Sequence, residues 1–166
     1  LVSPANSFGF MDGGIDRLYV DHFGSQLEQR VRDAIAARRN GELLVGEAEL
    51  VATGDERIPW LIAAPTMRVP MRLVDSVNPY LAARAALSLI RHGVTPQGAP
   101  LRGVIRSVAF PGLGTGVGQV GTHTCAHQMS QAIEHAVLGH QKSPRTWTEA
   151  SEQHQLLYTD RPRRLQ

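Results

Sequence analysis

Two glycine-rich stretches hold most of the residue types in this chain that could do chemistry. The first, SPANSFGFMDGGID, runs from Ser3 to Asp16 and places Asn6, Asp12 and Asp16 among three glycines. Glycine lets a backbone approach a ligand closely, and a carboxylate can orient or deprotonate a water. The second, FPGLGTGVGQVG, runs from Phe110 to Gly121 and joins an apolar run to a helical pattern. In that position successive N–H groups and a helix N-terminus can converge on an anion. It is not a Walker A loop, because no Gly-Lys-Ser/Thr follows. Nor is it a dinucleotide fingerprint, because no ribose-reading acid follows in a βαβ unit. A third group, His123, Cys125 and His127, invites a metal reading. On a helix the two histidines share a face while Cys125 points about 200° away, so no metal site is expected and Cys125 reads as a small buried residue.

The elements that must position these residues follow from periodicity. IDRLYVDHFG supplies a short helix, and Ser25 to Arg39 a longer one with Leu27, Val31, Ala34 and Ile35 on one face, ended by Gly41. Arg38 and Arg39 suit that helix end. EAELVATG alternates before a Gly54–Asp55 turn, and WLIAAPT is an apolar run expected of a buried strand. Asn78 reads as an N-cap with Pro79 behind it, opening a helix that runs to Gly93. GVIRSVAF reads as a strand leading into the second loop. Thr122 to Leu138 reads as a helix with Ala126, Met129, Ile133 and Val137 on its apolar face. Beyond Gly139 the chain is polar and ends with Arg161, Arg163 and Arg164, which predicts a tail or a loosely docked extension. Strands alternating with helices predict an α/β domain, its largely parallel sheet covered on both faces.

Composition allows one ordinary core. The 166 residues are 42% hydrophobic and 19% charged, and 17 Lys+Arg against 15 Asp+Glu leave a formal charge of +2. Basic and acidic residues alternate through most of the chain, so nucleic acid is not an expected partner. One cysteine suits a reducing compartment, and no apolar span is long enough to cross a bilayer. The expectation is a soluble, cytoplasmic protein.

The two loops together resemble the macrodomain family, which binds ADP-ribose and in many members hydrolyses ADP-ribosyl bonds. LVSPANSFGFMDGGID is similar to the family's first loop, a strand ending in V-N-A-A-N followed by a glycine run closing in G-G-V-D. SVAFPGLGTGVG is similar to its diphosphate-gripping second loop. The likeness covers about residues 1–138 and implies a three-layer α/β/α sandwich with a mixed, largely parallel sheet over residues 1–139. Residues 140–166 would form the polar extension, and the family's upstream strand is expected to lie outside this chain.

The resemblance also implies roles. Asn6 would meet the distal ribose hydroxyls, and Asp16 the distal ribose or the attacking water. Gly13, Gly14 and Ile15 would line the cleft, and Gly114, Thr115, Gly116 and Val117 would wrap the diphosphate. Gly118 stands where an aromatic often covers the distal ribose, and Phe10, Met11, Asp12 and Arg17 also depart from the family's pattern. The implied activity is hydrolysis of mono-ADP-ribose from modified protein, ester-linked to an acidic side chain, with no metal or cofactor. The alternatives are a non-catalytic reader of ADP-ribose and a phosphatase acting on ADP-ribose phosphate. Asp12 is the alternative base.

Overall fold

The computed structural model describes residues 1–39 and 41–158. Arg161, Arg163 and Arg164 lie outside the described residues, as do the side chains of Arg38 and Arg39. In chain order the elements are β1 (Val2–Ser3), α1 (Gly14–Phe23), α2 (Gln26–Arg39), β2 (Glu49–Ala52) and β3 (Trp60–Ala63). They continue with α3 (Asn78–His92), α4 (Leu101–Val104), α5 (Thr122–Ala136) and α6 (Trp147–Gln155).

The sheet is mixed, in the order β1-β3-β2, with β1 parallel and β2 antiparallel to β3. Alternation along the strands builds two cores. Leu61 and Ala63 of β3 join Val51 of β2 against Leu27, Val31 and Ile35 of α2. Ile62 faces the other way and packs with Val2 of β1 against α3 and α5. The layers are therefore helix, sheet and helix, an α/β/α sandwich.

Three local expectations are corrected. GVIRSVAF is not a strand: its first residues end the short helix α4, and one backbone bond, from Val2 N–H to Ala109 O at 3.0 Å, ties the rest to β1. With β1 only two residues long, no ladder can grow there. The helix of Asn78 is capped by Val77, because the Asn78 amide instead donates to Thr66 O at 2.7 Å. The buried stripe of α5 is Cys125, Gln128, Ala132 and Ala136, while Ala126, Ile133 and Val137 are exposed. The polar Gln128 is fully buried because its amide accepts from Tyr80 N–H at 3.3 Å and donates to Ser76 O at 3.0 Å.

The polar extension carries α6. Thr146 caps it by accepting from Glu149 N–H at 3.2 Å, and Leu157 just beyond it is buried in the α3–α5 core. Among the described residues, no helix is long and apolar enough to cross a membrane.

Candidate functional site

A cleft of about 360 Å³ opens where the two glycine loops meet. Asn6, Asp12, Gly13, Gly14, Ile15 and Asp16 line one side, and Gly114, Thr115, Gly116, Val117 and Gly118 the other. The structure thus brings the residues given a ligand or catalytic role in the two loops to one place, about a hundred positions apart in sequence. Thr66, Met67 and Pro70, which the sequence did not single out, close the floor and edge.

Asp16 is positioned by strand alternation and by the first turn of α1. In β1 Val2 turns into the core, so Ser3 turns to the opposite face, toward α1. Its hydroxyl donates to Asp16 Oδ1 at 2.5 Å. Only 7% of Asp16 is exposed, and burial pushes its carboxyl up to about 6 against the opposing effect of the Ser3 bond. The sequence signal for this partnership was the period of two: Ser3 is the strand residue opposite in sense to the core residue Val2. Gly14 opens α1 with φ of +57°, a conformation a side chain would strain. Arg17, a departure in sequence, points away from the cleft and pairs with Asp21 across one helical turn at 2.9 Å.

The first loop is held firmly. Met11 is fully buried in the α2 core and pins the middle of the loop to the sheet's outer face. Asn6 accepts from the N–H groups of Phe8 at 3.1 Å and Phe10 at 3.3 Å, and donates to Phe10 O at 2.8 Å. Its amide therefore builds the loop, and one Nδ2 proton remains for a ligand. Phe10 stands at the cleft with the Arg32 guanidinium 4.6 Å from its ring centroid.

The second loop is a compact turn. Gln119 N–H donates to Gly116 O and Val120 N–H to Gly114 O, both at 3.0 Å. Among the described residues, the N–H groups of Gly116, Val117 and Gly118 find no backbone acceptor. A Cβ on Gly118 would lie 2.5 Å from Gly114 O, so close packing of the loop on itself requires glycine there. At Gly116 a Cβ would meet nothing within 4 Å, and its φ lies outside the left-handed region. Among the described residues, no Lys or Arg lines the cleft, so backbone dipoles there can hold an anion.

The model of the family described as Macro domain matches residues 2–129. The chain belongs to the macrodomain family. It is 32% identical over 133 residues to an uncharacterized protein of Aquifex aeolicus, covering 80% of this chain and 71% of that protein. It is also 32% identical over 132 residues to an uncharacterized protein of Aeropyrum pernix, covering 80% of this chain and 61% of that protein. Solved macrodomains share the fold. A glycine-to-valine mutant of the Oceanobacillus iheyensis macrodomain with ADPR superposes with a TM-score of 0.62 at 18% identity, over 80% of this chain and 67% of that one. The macrodomain of Mycobacterium tuberculosis DarG gives 0.61 at 20% identity, over 80% and 79%.

The third group of this macrodomain does not converge. His127 Nε2 bonds Leu156 O at 2.6 Å, and Cys125, buried, contacts Met129 Sδ at 3.5 Å. Among the described residues, no cluster of three His, Cys, Asp or Glu could hold a metal ion.

Proposed function

We propose that this macrodomain binds ADP-ribose in the cleft between its two glycine loops and hydrolyses mono-ADP-ribose from modified cytoplasmic proteins, with the ester to an acidic side chain as substrate. One observation carries the reading: a buried carboxylate with a pKa of about 6 and an array of unpaired N–H groups share one cleft in a chain of this family. The O. iheyensis neighbour with ADPR supports the choice of ligand.

In this reading the N–H groups of Gly116, Val117 and Gly118 take the diphosphate, and Gly13, Gly14 and Ile15 wall the distal ribose. Asn6 fixes the first loop and offers its remaining amide proton to a ribose hydroxyl. Asp16, ionised above about pH 6, takes a proton from a water. The water oxygen bonds to the anomeric carbon as the bond to the acyl oxygen breaks, and the target side chain leaves as its carboxylate. Dipoles fixed before the substrate arrives hold that carbon in place without reorganisation.

The test is incubation with mono-ADP-ribosylated substrates of defined linkage, following release of ADP-ribose. Asp16→Ala is expected to lower turnover roughly a hundredfold or more while ADP-ribose still binds. Release at the parent rate would move the base to Asp12. Binding of ADP-ribose with no release from any linkage would make the protein a reader.

A further inference from the structure

The family match ends at residue 129, yet the structure beyond it reaches back to the segment that packs against the second loop. Tyr158, two residues past Leu156, the C-cap of α6, donates its hydroxyl to Asp75 O at 3.1 Å. Its ring lies edge-on to His154 of α6, with centroids 5.4 Å apart. The end of α6 is itself tied down twice, by the His127 bond to Leu156 O and by burial of Leu157 in the core. Asp75 belongs to a short segment that carries the second loop. Two residues earlier, Leu73 N–H donates to Gly118 O at 2.7 Å. The Leu73 side chain fills the space beneath the loop: its Cδ1 lies 3.3 Å from where a Cβ on Gly114 would stand and 3.0 Å from one on Gly118. Ser76 N–H closes the segment onto Leu73 O at 3.2 Å.

We propose that Tyr158 is a positioning residue for the second loop, acting through Asp75 and Leu73 to hold the N–H array at the cleft. The consequence for ligand affinity rests on the proposed ADP-ribose reading, whereas the coupling itself does not. The physical basis is that Leu73 is the floor of the loop, donating to its Gly118 carbonyl and packing under Gly114. A backbone segment so placed transmits any loosening to the N–H groups above it. Tyr158 is at the surface, so losing its hydroxyl removes this one bond and leaves the core intact.

The experiment is amide hydrogen exchange on the full chain, comparing the parent with Tyr158→Phe. Exchange at Leu73 and Val120 is expected to speed up about fivefold, the size set by one neutral hydrogen bond. Amides of α2 and β3 that exchange by local opening should be unchanged, and the thermal midpoint should fall by no more than about 2–4 °C. Affinity for ADP-ribose, by calorimetry, should weaken by a similar factor. A second variant, Leu157→Ala, would speed exchange at the same two amides by releasing the end of α6. Unchanged exchange at Leu73 and Val120 in Tyr158→Phe, with faster exchange confined to α6, would overturn the proposal. Should the parent fail to bind ADP-ribose, the functional reading falls while the exchange data still decide the coupling.

Discussion

Burial of Asp16 sets a stability cost against the role proposed for its carboxylate. Below its unfolded pKa of 3.8 the carboxyl is protonated in both states and folding carries no cost from it. As pH rises from 3.8 to about 6 the unfolded chain loses this proton first, so the native state loses stability. Above about 6 the penalty is complete, on the order of 3 kcal/mol. Asp16→Asn keeps an acceptor for Ser3 and removes the charge. Urea unfolding should show the variant more stable than the parent at pH 8 and equal to it near pH 3.5. A constant difference across that range would contradict the burial penalty. If Asp16 is the base of the proposed hydrolysis, turnover by the parent should rise with pH through about 6 and then level, because only the ionised carboxylate can take the proton.

The second loop separates a glycine its own packing requires from one that faces open space. Gly118→Ala would drive a Cβ against Gly114 O and should destabilise the fold by about 1–3 kcal/mol, read from the unfolding midpoint. Gly116→Val meets open space, so the protein should keep its midpoint while calorimetry shows ADP-ribose binding reduced at least tenfold. Undiminished affinity in a folded Gly116→Val protein would place the diphosphate elsewhere. Helix α5 contributes a buried polar tie to the same region. Gln128→Leu strands both Tyr80 N–H and Ser76 O and should cost about 2 kcal/mol or more in denaturant unfolding. This helix also shows how an apolar pattern misleads. Ile133 and Val137 look like core residues, yet satisfied hydrogen bonds put Gln128 inside and leave those two at the surface.

On the scale of the molecule, the cleft joins loops that open the two helical layers, α1 from the first loop and α5 from the second. A ligand bridging them should stabilise the whole fold. ADP-ribose at a hundred times its Kd is expected to add about 2.7 kcal/mol, measured as a rise in the thermal midpoint that scales with ligand concentration. Because no Lys or Arg among the described residues lines the cleft, raising salt from 50 to 200 mM should change the affinity by less than about threefold. A steep salt dependence would point to a site on the arginine-bearing surface instead.

What the sequence determined by itself was local or carried by motif. The α2 face of Leu27, Val31 and Ile35, the strands before and after Gly54, and the two glycine loops were legible because period, turn residues and spacing express short-range physics. The tertiary structure alone decided what depends on partners distant in the chain. It gave Asp16 its burial beside Ser3, spent most of the Asn6 amide on its own loop, and turned GVIRSVAF away from strand pairing. It also gave the polar extension a helix whose neighbouring Leu157 enters the core. A carboxylate's pKa and an amide's free protons depend on which groups surround them after folding, and periodicity in one segment carries no record of its neighbours.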